Sequence, residues 1–586
     1  MAGRTNTLQR WLAGALAATA MPLFAAEPHP AQPGVGDTAF DTVVVRPAAW
    51  AEAIGPWKAY REAQGHRIAE LDTSSDSRTI RAAIAQLASA QAEPIRYVLL
   101  AGDVSADAAR NVPTCYYDST AMSQFGGEAT IASDNPYADL DGDNVPELAI
   151  GRIPADSAAQ LQQVLTRVMA FEQHRDFSSW RRDVHVVAGV GGFGAIADSI
   201  VEMTTRRFLA DRIPGWSDLS MTQASVDSHY CPDPRRFSET CIDRMNQGGM
   251  FWVYIGHGHV KTLDYVLAGE DWLPILTHAH VPAVNVGGRP PIAVFLACYT
   301  GAFDAIEDSL AEELMLSPTG PIASLAASRV SGPYGLAMLS DGLLSSCFDQ
   351  QADTLGDVVL TAKQRLFQTS AAETSTAEKS PRALSVTSTS GRPAGHTSDR
   401  PAGQVSGHMD QLQMIGAIAS ALSPSDYDLA AERREHVWQM NLLGDPLLRL
   451  CHPGPLALQV AARAAPGETI QIVGTSDVPG RLSVELVLRR DQVRKELDAV
   501  GVDLISERGR AAFQQRYQAA NQRVLLMQEF SLEDSGDFQV ALGIPADLAR
   551  GKYAVRAYLE GQAACRAGYC EINIRADNLH NQATTP

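Results

Sequence analysis

From Asp41 onward, short β-branched apolar runs alternate with segments whose apolar residues recur at helical spacing. Thr42 to Arg46, His66 to Asp72 and Tyr97 to Ala101 read as strands, with helices predicted between them at Trp50 to Gln64 and Ser77 to Ala92. Parallel neighbours need a long crossover, so this βαβαβ rhythm predicts a parallel sheet with helices on its faces. A second series starts at Val184 to Ala188 and runs through a helix at Gly194 to Leu209, then Phe251 to Ile255, Ile292 to Ala297, Pro321 to Ala326 and a helix near Tyr334 to Cys347. A helical pattern at Asp410 to Leu422 and the segment Trp438 to Leu450 end this region.

After Pro453 the alternation shortens to period two, at Thr469 to Val473, Arg481 to Leu488, Val524 to Met527, Phe538 to Leu542, Tyr553 to Tyr558 and Glu571 to Ile574. This spacing predicts a β-sandwich, with the charged stretch Arg489 to Arg523 as a helical excursion. The expected class is therefore α/β, with two α/β/α subdomains of parallel sheet over residues 36–178 and 179–452 and a sandwich over 453–578. Residues 368–408 are rich in Ser, Thr, Ala, Pro and Gly and almost devoid of large apolar side chains. Such a stretch cannot offset its ordering entropy and reads as a disordered insertion.

Composition narrows the field. The chain has 586 residues, 45% apolar and 20% charged, which allows a large core and excludes global disorder. A net charge of -19, with no concentrated basic patch, argues against a nucleic-acid partner. At the N-terminus, Arg4 and Arg10 precede an apolar stretch from Trp11 to Phe24 and the small residues Ala25 and Ala26, which reads as a signal peptide over residues 1–26. Export to the periplasm, cell surface or medium is expected, with no membrane span left after cleavage. An oxidising compartment makes disulfides possible, and Cys231 with Cys241, and Cys565 with Cys570 on either side of an expected turn at Arg566-Ala567-Gly568-Tyr569, are local candidates.

Chemistry concentrates at two strand ends. Phe251 to Gly256 runs into His257-Gly258, and Ile292 to Ala297 runs into Cys298. In a parallel sheet, reactive groups gather at the carboxyl ends of the strands, so neighbouring strands would form a Cys-His dyad there. The imidazole would favour the thiolate and protonate a leaving amine, while the backbone N–H groups of Gly258 and Cys298 would stabilise an oxyanion.

An apolar strand into His-Gly followed by one into Ala-Cys resembles the caspase-like cysteine peptidases. Tyr97-Val98-Leu99-Leu100-Ala101-Gly102-Asp103, Ile150-Gly151-Arg152-Ile153, Tyr254 to Gly258, Pro318-Thr319-Gly320 and Leu443-Gly444-Asp445-Pro446 resemble the gingipain family specifically. The resemblance spans about residues 40 to 450. It implies two caspase-like subdomains, an Ig-like sandwich, and endopeptidase chemistry on peptide substrates through His257 and Cys298. His259, not followed by Gly, is the weaker base candidate. Some gingipains place an acid just after the strand preceding the His strand. Here that turn is Gly189-Val190-Gly191-Gly192, and Val190 cannot orient an imidazole, so a bare dyad and a substitute carboxylate are both open.

The same turn continues to Gly194 as G-x-G-x-x-G, but lacks the acid of a dinucleotide site and reads as a tight strand-to-helix turn. Asp139, Asp141, Asp143, the Val145 carbonyl and Glu147 occupy loop positions 1, 3, 5, 7 and 9 of a calcium-loop pattern, with Asp134 a further candidate upstream. Structural Ca2+ is the expected cofactor. The resemblance also suggests that Asp198 sits beneath a basic substrate side chain, favouring Arg or Lys before the scissile bond. Two other functions stay open: a sortase-like transpeptidase using the same site, and a non-enzymatic binding or adhesion protein on this scaffold.

Overall fold

The computed structural model describes residues 39–191, 212–377, 427–490 and 505–575, with single positions 416, 420, 492 and 503. The signal segment 1–26, the expected helix at Gly194 to Leu209 and most of the 368–408 insertion lie outside the described residues. The helix Leu355–Ala377 carries the chain into the first ten positions of that insertion, so its beginning is helical.

Ten strands form the central sheet: β1 (Thr42–Arg46), β2 (Ile68–Asp72), β3 (Tyr97–Ala101), β4 (Ala149–Ile153), β5 (Asp183–Ala188), β6 (Asp218–Gln223), β7 (Phe251–Ile255), β8 (Ile292–Leu296), β9 (Ala323–Ala327) and β10 (Met440–Leu443). Their order is β2-β1-β3-β4-β10-β9-β8-β7-β5-β6. Every pairing is parallel except β9 with β10. β1, β3, β4, β8 and β9 are buried along their whole length, as central strands covered on both faces must be.

The two α/β series expected as separate subdomains with their own sheets are thus halves of one sheet. Strand β10, late in the chain, inserts between β4 and β9 and removes the exposed edge that each half would otherwise present. The junction explains two motifs. A Cβ on Gly151 would lie 2.4 Å from the Gly444 carbonyl, so the backbones approach as only glycine allows. Asp445, fully buried, accepts hydrogen bonds from Trp57 Nε1 and Arg61 Nη2, both at 2.7 Å, and Arg61 also pairs with Glu172 at 2.8 Å. Removing one partner would leave a buried charge unpaired, which costs about 3–5 kcal/mol.

The C-terminal region holds two sheets whose long strands pair antiparallel. One contains Gly480–Leu488, Val524–Leu532, Gly551–Glu560 and Cys565–Ile574, and the other Ala457–Val460, Thr469–Ser476 and Gly536–Gly543. Ile470, Ile472, Leu482, Val484, Leu542 and Val555 belong to a shared buried core. The charged excursion contains the helix Glu507–Asn521. Its Asn521 grips edge strand β6, accepting from Met221 N at 2.7 Å and donating to Met221 O at 2.9 Å. Buried Glu485 receives Arg182 at 2.6 Å and also pairs with Arg556, which reaches Asp218 at 3.2 Å, so a charge network ties this region to the central sheet.

Cys565 and Cys570 lie on one continuous strand rather than flanking a turn. Five residues of extended chain span about 17 Å, far beyond disulfide reach, which corrects that expected pair. Cys231 and Cys241 are both buried free thiols.

Candidate active site

Parallel pairing sets the site. β7 and β8 are adjacent and in register, with Ile255 opposite Leu296. Each strand then runs two residues further, to His257 and to Cys298, at the same carboxyl edge. Gly258 is in close contact with the Cys298 turn: an added Cβ would lie 2.7 Å from the Cys298 carbonyl oxygen and 2.7 Å from Thr300 Cγ2. β5 pairs with β7 on the other side, Ala188 opposite Ile255, which puts the Val190 turn next to His257.

The Cys298 sulfur sits against the turn that follows β9. Sγ accepts the Ser331 N–H at 3.3 Å and lies 3.7 Å from the Ser331 carbonyl oxygen. Burial pushes the thiol pKa up, while the N–H groups of Ser331 and of Cys298 itself pull it down. The thiol therefore needs a base to take its proton. Tyr299 follows in the left-handed region at φ 58°, a strained conformation for a non-glycine residue that turns the chain sharply after the sulfur. Neither Gly258 N–H nor Cys298 N–H has a main-chain acceptor among the described residues.

The His257 loop is held from below by Tyr254. Its fully buried hydroxyl donates to the His257 carbonyl at 2.8 Å and accepts the Asp264 N–H at 3.3 Å. Gly189 and Gly256 make room for it, since a Cβ on either would come within 2.7 Å of that oxygen. Gly189 therefore has a packing reason that needs no dinucleotide.

Beside the dyad lies a depression of about 440 Å³ lined by His259, Tyr299, Glu128, Asp304 and Arg329. Arg329 is clamped by Asp304 at 2.6 and 2.8 Å and lies 3.8 Å from Glu128, which also accepts from Tyr299 Oη at 2.7 Å. Two carboxylates face one guanidinium, so the lining carries a net negative charge. Asp198, the expected specificity residue, lies outside the described residues. Ser331, Asp264, Glu128, Asp304 and Arg329 carry no motif in the sequence; only their proximity to the two strand ends reveals them.

The acidic loop is a separate cluster. Carboxylate oxygens of Asp139, Asp141, Asp143 and Glu147 all lie within 4.8 Å of one another. The loop is preorganised by its own amides: Asp139 Oδ1 accepts Gly142 N at 2.7 Å, Asp143 Oδ1 accepts Val145 N at 2.8 Å and Glu147 Oε2 accepts Leu140 N at 2.7 Å. Asn144, where the calcium pattern calls for glycine, adopts that left-handed turn at φ 72°. Burial and then the charges of Asp141, Asp139 and Asp143 raise the Glu147 pKa, so the carboxylates crowd one another. Asp134 is not part of this group. It is consumed by Arg152, at 2.7 Å to both Nε and Nη2, and by Thr114 at 2.9 Å, which corrects its candidacy as a ligand.

A cysteine and a histidine presented at one edge by adjacent parallel strands form the arrangement that a Cys-His hydrolase on an α/β sheet requires. A profile of peptidase family C25 matches residues 36–451, and the chain belongs to this gingipain family of cysteine peptidases. Two solved structures similar to the chain are the Arg-specific cysteine proteinase gingipain R, at 15% identity with 92% of this chain and 98% of that one covered and a TM-score of 0.48, and the complex of Porphyromonas gingivalis RgpB pro- and mature domains, at 15% identity, 91% and 100% covered and a TM-score of 0.47. A third, a protease, shows 13% identity, 92% and 98% coverage and a TM-score of 0.49. No curated protein matches the chain. Among the described residues, no helix is long and apolar enough to cross a membrane.

Proposed function

We propose that the protein is an exported cysteine endopeptidase in which Cys298 attacks the peptide carbonyl carbon and His257 manages the protons. The observation that carries this reading is the in-register pairing of β7 with β8, which delivers both side chains to one edge. His257 takes the Sγ proton as sulfur bonds to the carbonyl carbon. The resulting oxyanion is met by the N–H groups of Gly258 and Cys298. Collapse breaks the C–N bond, His257 returns the proton to the leaving amine, and an acyl-thioester remains on Cys298. Water, deprotonated by His257, then releases the acid and regenerates the thiol.

A preference for Arg or Lys before the scissile bond is supported by the excess of Glu128 and Asp304 over Arg329 beside the dyad, with Asp198 as the second candidate for that role. Residues Asp139, Asp141, Asp143 and Glu147, with the Val145 carbonyl, would hold Ca2+, whose contribution is to offset crowded carboxylates rather than to take part in catalysis. The two-sheet C-terminal region, with its shared core, supports an Ig-like assignment.

Labelling by a cysteine-directed peptidyl electrophile with a basic terminal residue tests the function. Wild type should be labelled, Cys298→Ala not at all and His257→Ala far more slowly; wild type without Cys298-dependent labelling by basic, acidic or apolar peptides overturns the reading. Addition of a peptide amine during turnover reads out acyl transfer against hydrolysis.

A further inference from the structure

The position that the resemblance reserves for an acid beside His257 holds Val190. We propose that Asp264, seven residues after His257 in the chain, is the positioning carboxylate of this site. The proposal rests on His257 serving as the proton carrier of Cys298.

Three observations converge on Asp264. Its Oδ1 is fixed by the Tyr265 N–H at 2.8 Å, whereas its Oδ2 is buried and, among the described residues, meets no donor in full hydrogen-bond geometry. A buried carboxylate oxygen left unmatched is costly, so a donor is expected to approach it when the site is charged. The positive charges that His257 and His259 would carry both act on this carboxylate. The Val190 N–H also favours its ionised form, which puts Asp264 beside the turn where an acid after β5 would have stood. Burial opposes these effects and leaves the Asp264 pKa raised, as for a carboxylate awaiting a cationic partner.

The local wiring supports a role acting through His257. Tyr254 Oη joins the His257 carbonyl to the Asp264 N–H, so the two residues are held on one buried hydroxyl at the end of β7. The chain between them is pinned by the His259 N–H to Thr262 carbonyl bond at 2.8 Å. A tight loop after β7 can therefore return a carboxylate to the place that a side chain on β5 would reach. The charged and titratable groups facing Asp264 are His257, His259 and Tyr254.

The test compares wild type, Asp264→Asn, Asp264→Glu and His259→Ala. The readouts are kcat and KM on a basic peptide substrate, Cys298 alkylation across pH, and a thermal melt. Asp264→Asn is isosteric and keeps an acceptor for the Tyr265 N–H, so the melt should hold. Its kcat should fall by about 10²- to 10⁴-fold with KM little changed. Loss of the carboxylate destabilises imidazolium, so the acid limb of the activity profile, set by the protonation of the His257 base, should move down by about one pH unit or more. Asp264→Glu should recover part of the rate, and His259→Ala should leave the limb in place. The proposal is overturned if Asp264→Asn keeps the wild-type rate and limb, or if His259→Ala reproduces the loss and Asp264→Asn adds nothing to it. A wild type without Cys298-dependent activity would instead sink the peptidase reading itself.

Discussion

Gly258→Ala is the sharpest probe of how the fold makes the site. Gly258 does not occupy the left-handed region, so alanine meets no torsional obstacle there. The obstacle is space. Its Cβ would lie 2.7 Å from the Cys298 carbonyl oxygen, 2.7 Å from Thr300 Cγ2 and 3.0 Å from Ala297 Cβ, where ordinary contact starts at 3.4 Å. Two of these three neighbours belong to the turn that carries the nucleophile or its immediate backbone, so relief must come from separating the His257 and Cys298 turns, by about 0.7 Å. Misplacing a base from its nucleophile by a distance of that order costs about 10²-fold in rate, while overpacking costs about 1–3 kcal/mol of stability. The assay is kcat/KM on a basic peptide together with the Cys298 alkylation rate and a denaturant midpoint. A Gly258→Ala enzyme within about threefold of wild type in kcat/KM would refute the claim that these two turns are mechanically coupled.

Two further outcomes are expected. Calcium at about a hundredfold over its Kd should stabilise the protein by about 2.7 kcal/mol, read as a rise in Tm that a chelator reverses and that Asp141→Asn with Asp143→Asn abolishes; equal melting with calcium and chelator would remove the calcium site. His185 is buried in β5 between Ser220 Oγ at 2.7 Å and the Gly248 carbonyl at 2.8 Å, and burial is the main cause pushing its pKa from 6.5 down to about 4. Its neutral form is the folded form, so its contribution is intact above pH 6.5 and is lost as pH falls toward 4, by up to about 3 kcal/mol. The stability gap between wild type and His185→Gln should therefore change across that window in urea titrations; a gap independent of pH would count against it.

How far the sequence reaches differs from element to element. Thr42–Arg46, Tyr97–Ala101 and Phe251–Ile255 are readable to the residue, because a short run of apolar, β-branched and aromatic side chains favours the extended conformation. Asp218–Gln223 escapes a sequence reading because its alternation is broken by polar residues whose partners, such as Tyr517 against Thr222, come from about 300 residues away in the chain. Cys565–Ile574 was expected to be shorter and preceded by a turn, since Arg566, Gly568 and Tyr569 look like turn residues until they are paired with Gly551–Glu560.

The adjacency of His257 and Cys298 was legible because an apolar run stopping at one reactive side chain is a local signature, and two such runs became neighbouring strands. Asp264, Ser331 and the Glu128, Asp304 and Arg329 lining leave none, because each has neighbours that the chain reaches only after folding. The same division holds for charge. Composition counts 67 acids against 48 bases, but only the tertiary structure decides that Asp134 is spent on Arg152 while Asp139, Asp141, Asp143 and Glu147 converge. By itself the sequence determined the period of each element, the family and the two strand-end residues, all of which depend on near neighbours in the chain. The joining of two expected sheets into one and the choice of a carboxylate beside His257 were decided by tertiary structure, because hydrogen-bonded edges and close contacts are satisfied between segments hundreds of residues apart or folded back by a loop.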